Sequence, residues 1–447
     1  MKKIICLLLI LAMLAGCLAL SGCDAFKAIF KETVKGIDDA TEVPYEQLGG
    51  ADYSDPAGRT PIESRYAYSY LSEGQKKLYD GIIQNIYQVY PEQTDLGLYK
   101  SPQVIVDDCV LDTADIRVTL RAITDDNPYL FWLSRTFSHM TNEDEVYTAV
   151  QCYSSFSPDA LREMRSKLDK VIDDFNASVP EGLSDYELEK FAHDYIIEHC
   201  AYDTSYSDHT EINEQNIKTH SVYGGLVDGL CVCEGYGMSF QLLLNGMGVE
   251  CVTVTGMAYD SASDQHADDA VLHLWNAVKL DGDWYLVDCT WDDQEYEHQR
   301  YNYFNLDDSL FGDDHTPSDT PENIDKDYIA EKGTEDMNLF IPVCDSKKYN
   351  YFVYDCPHLT YFDSSDPVDA IYAAALEKRP FITMYIDPDY LDYDEAIDML
   401  FNNSPQYCFM YMDEVNSRLS GYEIDENNLK YYINESRRYV TVALYYY

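Results

Sequence analysis

The sequence predicts an α+β protein, and three observations along its 447 residues support that prediction. Apolar residues recur at helical spacing before residue 183, which indicates a mainly helical N-terminal region. A helix beginning at Cys233 is followed by three runs of β-forming residues, which we expect to form one antiparallel sheet packed on that helix. From residue 339, short strand and helix patterns alternate and indicate a small α+β unit.

Length and charge narrow the possible functions. At roughly 100–200 residues per domain, the chain is long enough for two or three folded units. Its 80 acidic and 31 basic residues leave a formal charge of -49, which argues against a nucleic-acid partner. The same charge would attract basic substrates through a salt-dependent field, although a need for solubility explains it equally well.

The N-terminus has the pattern of an export signal. Two lysines precede the apolar run Ile4–Ala19, and Leu20-Ser21-Gly22-Cys23 follows it. This arrangement resembles a bacterial secretory signal with a lipobox, whose cysteine is acylated and becomes the mature N-terminus. The resemblance implies a lipid anchor on Cys23 and a location at the extracytoplasmic face of the bacterial cell membrane.

Two other interpretations of this segment remain open. Leu14-Ala15-Gly16-Cys17 matches the same pattern, but a cut there would leave apolar residues 18–20 outside, whereas polar Asp24 follows the preferred site. An uncleaved membrane helix needs roughly 20 apolar residues, which the segment reaches only by crossing both Gly-Cys pairs. No later segment is apolar for long enough to span a bilayer.

Composition changes along the chain suggest its domain organisation. We divide it into signal peptide 1–22, tether 23–61, mainly helical region 62–182, catalytic domain 183–300, acidic linker 301–338 and small α+β domain 339–447. Within the linker, residues 307–336 are expected to form a long loop with a short helix inside it. This stretch lacks the Asp-x-Asp-x-Asp-Gly spacing of a calcium loop, so a solvated acidic face is favoured over a calcium site.

Local patterns predict individual elements. Ser72 is expected to cap a helix, because Gln75 stands three residues further on, as in a capping box. A helix is also predicted over residues 159–175, and short strands over 104–106 and 118–120. For the C-terminal part we predict, in order, two strands after residue 340, helix 368–376, strand 381–386, helix 394–401 and two final strands.

Cys233 is the first candidate for chemistry. It lies in Cys231-Val232-Cys233-Glu234-Gly235-Tyr236, just before a helical pattern that ends at Gly248. A thiol in the first turn of a helix is close to backbone N–H groups and to the positive end of the helix dipole, which favours the thiolate. Taken alone, the position is also compatible with a structural cysteine.

His273 and Asp288 flank a strong hairpin signal. Asp281-Gly282 predicts a two-residue turn between two β-forming runs. With those two residues as the loop, Asp288 lies opposite Trp275, and His273 becomes its diagonal neighbour on the same face of the sheet. Because a one-residue slip would separate them, this register predicts a histidine–carboxylate pair.

Four blocks in order resemble the transglutaminase-like superfamily. They are Tyr223-Gly224-Gly225, Cys233-Glu234-Gly235-Tyr236, His273-Leu274-Trp275-Asn276 and the run from Trp284 to Asp292. The likeness covers about a quarter of the chain, roughly residues 185–295. It implies a papain-like core, a helix with an N-terminal cysteine on an antiparallel sheet, and a catalytic triad of Cys233, His273 and Asp288.

Such a triad implies a thioester mechanism. His273 would hold Cys233 as a thiolate that attacks an amide carbonyl, and would then protonate the leaving amine, while Asp288 orients the imidazole. Water would complete hydrolysis, whereas a lysine amine would complete crosslinking, and we favour hydrolysis. The expected partners are a peptide or protein substrate and, through the lipid anchor, the membrane.

Several details stay open in the sequence. Cys231 could replace Cys233 as the nucleophile or pair with another thiol, but Glu-Gly-Tyr follows Cys233 directly, which favours Cys233. The oxyanion donors would include the Cys233 N–H, while a contribution from Tyr202 is a guess. Four other histidines are expected to support the fold or to lie in loops: His193, His199, His220 and His266.

No metal or cofactor is expected, because no CxxC pair indicates zinc and most remaining cysteines lie in apolar stretches as small buried side chains. The rival hypothesis is a catalytically inactive surface protein that uses the same fold to bind a partner. It predicts an unreactive Cys233.

Overall fold

The computed structural model describes residues 65–141, 147–205, 213–259, 270–294, 296–334 and 336–447. The predicted signal peptide, the lipidation site Cys23, the tether and His266 lie outside these ranges. Among the helices of the described residues, none is both long and apolar enough to cross a membrane.

The helices, in chain order, are α1 Tyr66–Ser69, α2 Glu73–Asn85, α3 Thr113–Asp126, α4 Pro158–Ser178, α5 Asp185–His199, α6 Glu214–Thr219, α7 Cys233–Met247, α8 Cys289–Asp292, α9 Asp308–Phe311, α10 Lys326–Lys332, α11 Tyr351–Tyr354, α12 Asp366–Leu376, α13 Tyr393–Ile397 and α14 Tyr407–Arg418. The strands are β1 Tyr99–Lys100, β2 Val104–Asp107, β3 Leu133–Thr141, β4 Tyr147–Ser154, β5 Ala201–Tyr202, β6 Leu230–Cys231, β7 Cys251–Ala258, β8 Val271–Leu280, β9 Asp283–Val287, β10 His315–Pro317, β11 His358–Leu359, β12 Phe381–Ile386, β13 Lys430–Asn434 and β14 Tyr439–Ala443.

The chain forms two compact units, each assembled from separate stretches. The first comprises described residues up to Val179 together with those in Glu198–Met247 and Ser318–Ile341. The second comprises those in Pro180–Ile197, Gly248–Pro317 and Pro342–Tyr447. The domain boundaries drawn from the sequence stay predictions.

Helix capping organises the start of the first unit. The Ser72 hydroxyl accepts from the Gln75 N–H and the Gln75 side chain accepts from the Ser72 N–H, which confirms the predicted capping box. The predicted strand 118–120 is wrong, since these residues lie inside α3. A second capping box, between Asp112 and Asp115, starts that helix, and burial of one helix face, which includes Ile116, Leu120 and Ile123, outweighs the strand preference of the residues concerned.

Two further elements predicted for the first unit are confirmed. Strand β2 covers the predicted 104–106, and α4 covers the predicted 159–175. A sheet of order β1-β4-β2, with β3 also paired to β4, accompanies the helices. Helix α7 begins at Cys233, and Gly248 follows its last residue at a φ of 89°, a conformation that favours glycine and ends the helix.

The second unit contains the predicted antiparallel sheet, in the order β10-β7-β8-β9. Its hairpin turns at Asp281 and Gly282, both at positive φ, and Leu280 pairs with Asp283. The register predicted for β8 and β9 is therefore confirmed. Edge strand β10 comes from the acidic stretch 307–336, where the sequence indicated only a loop and a short helix; α9 and α10 also form there.

Gly256 allows β10 to lie close to the sheet. It pairs with His273 on one side and with Pro317 on the other. A Cβ at this position would overlap the carbonyl oxygen of Thr316 and the ring of Trp275. Glycine is thus required where the two neighbouring strands approach.

The C-terminal part of the second unit has a sheet of order β11-β12-β14-β13, in which β11 and β12 are parallel. Strand β12, helix α12 and the two final strands match their predictions, and the predicted helix 394–401 forms as α13 followed by a π-helical turn. Of the two strands predicted between residue 340 and α12, one forms as the two-residue β11, and helix α11 forms where the other was expected. Helix α14, whose Cys408 is part of the buried core, was not predicted.

Candidate active site

His273 and Asp288 form the predicted pair. The distance from His273 Nε2 to Asp288 Oδ2 is 2.6 Å, and the two residues are only 6% and 1% exposed. His273 lies in β8, while Asp288 follows the last residue of β9 and caps α8. The two-residue turn and its register are what bring the imidazole to the carboxylate.

Four hydrogen-bonding contacts hold the Asp288 carboxylate. Its Oδ1 accepts from the backbone N–H groups of Thr290 and Trp291, at 2.9 and 3.1 Å. Its Oδ2 meets the Nε2 atoms of His273 and His315. Burial would raise the pKa of this carboxyl, but the two histidines outweigh burial and hold the pKa well below its usual range.

Cys233 is the first residue of α7 and is half-buried. The helix places its thiol near the positive end of the dipole, as the sequence predicted. The next residue, Glu234, accepts from the Nδ1 of His220 and lies 3.8 Å from Arg135. Cys233 belongs to the first unit and His273 to the second, so a contact between thiol and imidazole stays a prediction.

Cys231 is a poor alternative nucleophile. It is fully buried in β6, and a hydrogen bond with Cys200, together with burial, raises the pKa of its thiol well above the usual value. Cys231 and Cys200 are both free thiols, so the two alternatives drawn from the sequence for Cys231 stay predictions. The buried thiols of Cys152 and Cys408 behave as expected for small core side chains, since burial raises the pKa of each to about 12.

The other predicted polar residues occupy structural positions. His193 is buried, with its Nε2 3.1 Å from Asp292, and His199 Nε2 donates to the carbonyl of Leu226 at 2.8 Å. Tyr202 is exposed, and its ring stacks at 6.4 Å on that of Tyr236. Its suggested role as an oxyanion donor stays a prediction.

Sequence reasoning missed His315. Its Nε2 lies 3.2 Å from Asp288 Oδ2, and its Nδ1 lies 2.6 Å from Asp314 Oδ1. The residue belongs to a stretch whose acidic composition indicated a solvated face, yet its side chain is completely buried. In the sequence, the one feature that points to this contact is a single histidine in Asp313-Asp314-His315-Thr316. No spacing rule connects that histidine to the hairpin.

Within the described ranges, one group of potential metal ligands lies close together. It consists of His273, Asp288 and His315, whose ligand atoms lie within 4.8 Å of one another. The contacts to Asp288 Oδ2 have hydrogen-bond lengths, and Oδ1 already accepts from two backbone N–H groups. Hydrogen bonding accounts for this cluster, and no chemical step below requires a metal.

A cysteine at a helix start and a buried histidine–carboxylate pair on a hairpin are the residue types that a papain-like thiol site uses, and their assembly into one site stays a prediction. Residues 174–289, which contain all three, match the Transglutaminase-like superfamily. This stretch is therefore a transglutaminase-like domain, and the α+β fold agrees with the prediction.

Curated relatives support the same assignment over part of their length. The chain is 30% identical to the mouse (Mus musculus) kyphoscoliosis peptidase over 34% of this chain and 24% of that protein. It is 26% identical to the Lim and transglutaminase domain protein ltd-1 of Caenorhabditis elegans, over 33% of this chain and 20% of that protein. The chain thus spans about a quarter or less of these relatives.

A solved structure described as a TGase is also similar. It is 15% identical, with a TM-score of 0.25, over 44% of this chain and 53% of that chain.

Proposed function

We propose that this chain is an extracytoplasmic, lipid-anchored thiol enzyme that forms a thioester with peptide or protein amides. The observation that carries the proposal is the buried 2.6 Å contact between His273 and Asp288 within a transglutaminase-like domain. Cys233 is the nucleophile, His273 its base and acid, and Asp288 the residue that orients His273.

In this proposal the two imidazole nitrogens of His273 have separate roles. Its Nε2 is directed to Asp288, so Nδ1 is the atom that exchanges a proton with the Cys233 thiol. The thiolate attacks the amide carbonyl carbon, and a tetrahedral oxyanion forms. As the C–N bond breaks, Nδ1–H protonates the departing amine, which leaves a thioester on Cys233.

Asp288 supports the charge that arises on His273. Because its pKa is held well below the usual range, the carboxylate is ionised at neutral pH and stabilises the imidazolium. Its two backbone N–H contacts fix its orientation before the reaction begins.

Hydrolysis is favoured over crosslinking as the second half of the reaction. Water attacking the thioester releases a carboxylic acid and restores the thiol, whereas a lysine amine would form a new amide. One relative carries the name peptidase, which supports hydrolysis. Incubation with a labelled primary amine separates the two outcomes, because only the crosslinking reaction attaches the label to a protein substrate.

The sequence supports the proposed location and substrate preference. The lipobox-like Leu20-Ser21-Gly22-Cys23 supports export and lipid attachment at Cys23, and mass spectrometry of the membrane-extracted protein tests it. The formal charge of -49 supports a preference for basic substrates. Turnover of a Lys-rich peptide that does not change with ionic strength would contradict that preference.

The central test is mass-spectrometric mapping of iodoacetamide labelling on the folded protein near neutral pH. We expect rapid labelling of Cys233 in the wild type and a large loss of rate in His273→Ala. His220→Ala is the matched control, because it removes an imidazole that contacts Glu234, the neighbour of Cys233. Equal, slow labelling of Cys233 in the wild type and His273→Ala would favour the inactive binding protein instead.

A further inference from the structure

We propose that His315 is a positioning residue that holds Asp288 in place for His273, an inference that rests on the function proposed above. The Nε2 of His315 lies 3.2 Å from Asp288 Oδ2, the same oxygen that His273 Nε2 approaches at 2.6 Å. One carboxylate oxygen is therefore shared by two imidazoles. The second imidazole limits rotation of the carboxylate away from His273.

His315 is itself held from its other side. Its Nδ1 lies 2.6 Å from Asp314 Oδ1, and Asp314 Oδ2 accepts from the hydroxyl of Tyr303 at 2.6 Å. A chain of hydrogen bonds thus runs from Tyr303 through Asp314 and His315 to Asp288. Outer partners of this kind fix the orientation of a functional imidazole, as they do around metal-bound histidines.

Aromatic rings fix the plane of the His315 imidazole. The ring centroids of Phe311, Trp291 and Trp275 lie 4.3, 4.6 and 5.1 Å from that of His315. These rings exclude water, so each hydrogen bond of the chain is stronger than it would be at the surface. The position of His315 is therefore set by packing as well as by polar contacts.

The backbone brings His315 to this place through close strand pairing. Residue 315 pairs with Ala258 of β7, and β10 can approach β7 because position 256 is a glycine. The same glycine pairs with His273 on the opposite side. The strands that carry the two imidazoles thus flank the same segment of β7.

Removal of the His315 ring nitrogens should loosen Asp288 without removing it. Asp288 would keep its two backbone contacts and His273, but its shared oxygen would lose one polar partner in a buried site. Loss of an outer partner of this kind typically lowers activity by about 10–100-fold. We expect a reduction of that order in the rate of Cys233 labelling.

Two substitutions separate positioning from packing. His315→Phe keeps a flat ring among the aromatic neighbours but removes both ring nitrogens. His315→Gln retains an amide N–H that can reach Asp288 Oδ2. The full chain, labelled with ¹⁵N at histidine, is examined by NMR for the downfield proton of the His273 Nε2–H···Asp288 hydrogen bond, which His273→Gln identifies by its loss.

We expect the His273 resonance to shift or to broaden by faster solvent exchange in His315→Phe, and His315→Gln to restore it in part. Labelling of Cys233 should follow the same order. A resonance in His315→Phe identical to that of the wild type would overturn the inference. Equal perturbation by Phe and Gln would also overturn it, since packing alone would then explain the effect.

Tyr303→Phe serves if His315→Phe does not fold, because it removes only the hydroxyl at the outer end of the chain. A smaller shift of the same resonance supports the inference, and no shift overturns it. The two proposals fail separately. If substitution of residue 315 changes the resonance but Cys233 labelling does not depend on His273, the positioning role is supported and the proposed thiol function is wrong. If Cys233 labelling depends on His273 but the resonance does not respond to residue 315, only the positioning role is wrong.

Discussion

The proposed nucleophile and the proposed base are held by different kinds of structure. Cys233 is half-buried at the start of a 15-residue helix, and the backbone of that helix provides its electrostatic environment. His273 is buried on a strand and depends on side chains from several segments of the second unit. The environment of the thiol therefore depends on neighbouring backbone and should tolerate most substitutions elsewhere. The position of the His273 base depends on residues far apart in sequence and should be easier to disrupt.

The largest effect is expected from Asp288→Asn. The amide can present an N–H where His273 Nε2 needs an acceptor, which favours the wrong imidazole tautomer, so we expect the Cys233 labelling rate to fall by about 10²–10⁴-fold. The rate of Cys233 labelling is measured by mass spectrometry. Asp281→Asn is the control, because Asp281 is exposed at the turn of the same hairpin, where it accepts from Lys348 and Tyr349. Unchanged labelling in Asp288→Asn would contradict the proposed orienting role.

A smaller but still large effect is expected from Gly256→Ala. The added methyl overlaps Thr316 and Trp275, so β10 must move and the free energy of unfolding should fall by about 1–3 kcal/mol. Because His315 moves with β10, Cys233 labelling should also slow. Denaturant unfolding and labelling kinetics measure the two effects.

Gly421→Ala provides the comparison for that substitution. Gly421 has a φ of 88° with no neighbour near its missing Cβ, so alanine strains the backbone without displacing β10. It should lower stability and leave labelling unchanged. If Gly421→Ala slowed labelling as much as Gly256→Ala, general destabilisation would explain both results.

The pH dependence of stability should differ between two buried carboxyls. In the first unit, burial raises the pKa of Asp126 to about 7, although the N–H groups of Ala67 and Tyr68 and the Tyr79 hydroxyl oppose it. Its ordinary unfolded pKa is about 3.9, so the folded state binds the extra proton between these values. Stability from this group therefore falls as the pH rises from about 4 to 7, by at most about 4 kcal/mol.

Asp288 has the opposite sign. Its folded pKa is depressed, so its contribution is present above the unfolded pKa and is lost as the pH falls towards the folded value. Urea unfolding of wild type and Asp126→Asn at pH 5 and pH 8 tests the first carboxyl. We expect Asp126→Asn to lose less stability than the wild type between these pH values. An identical pH slope in both proteins would show that Asp126 does not titrate abnormally.

The smallest effect is expected from Cys231→Ser. Cys231 is buried and hydrogen-bonded to Cys200, so its replacement should leave the Cys233 labelling rate nearly unchanged while costing some stability through burial of a hydroxyl. Peptide mapping of the alkylated protein measures it. Transfer of rapid labelling from Cys233 to Cys231 in Cys233→Ser would show that Cys231 can replace the nucleophile.

The hairpin pair could be predicted because its information is local. Asp281 and Gly282 determine the turn, the turn determines the register, and the register places His273 beside Asp288. Helix α7 was predictable for a similar reason, since its periodic residues end at Gly248. In both cases a few neighbouring residues settle the conformation.

His315 could not be predicted, because its environment depends on distant residues. Strand β10 pairs with β7 across 57 positions of sequence, from His315 to Ala258, and no turn residue links them. An acidic composition normally indicates a solvent-exposed segment. Asp314 and His315 are hydrogen-bonded to each other, however, which offsets much of the free-energy cost of burying them. The missed helix α3 is a different case, since its capping box between Asp112 and Asp115 is local and is present in the sequence.

The source of β10 has a practical consequence for work with shortened proteins. A recombinant fragment ending at residue 300 would keep Cys233, His273 and Asp288 but would lack β10. Strand β7 would then become an unpaired sheet edge, which invites association between copies, and Asp288 would lose one of its two imidazoles. Low activity of such a fragment would therefore measure the truncation rather than the chemistry of the intact chain.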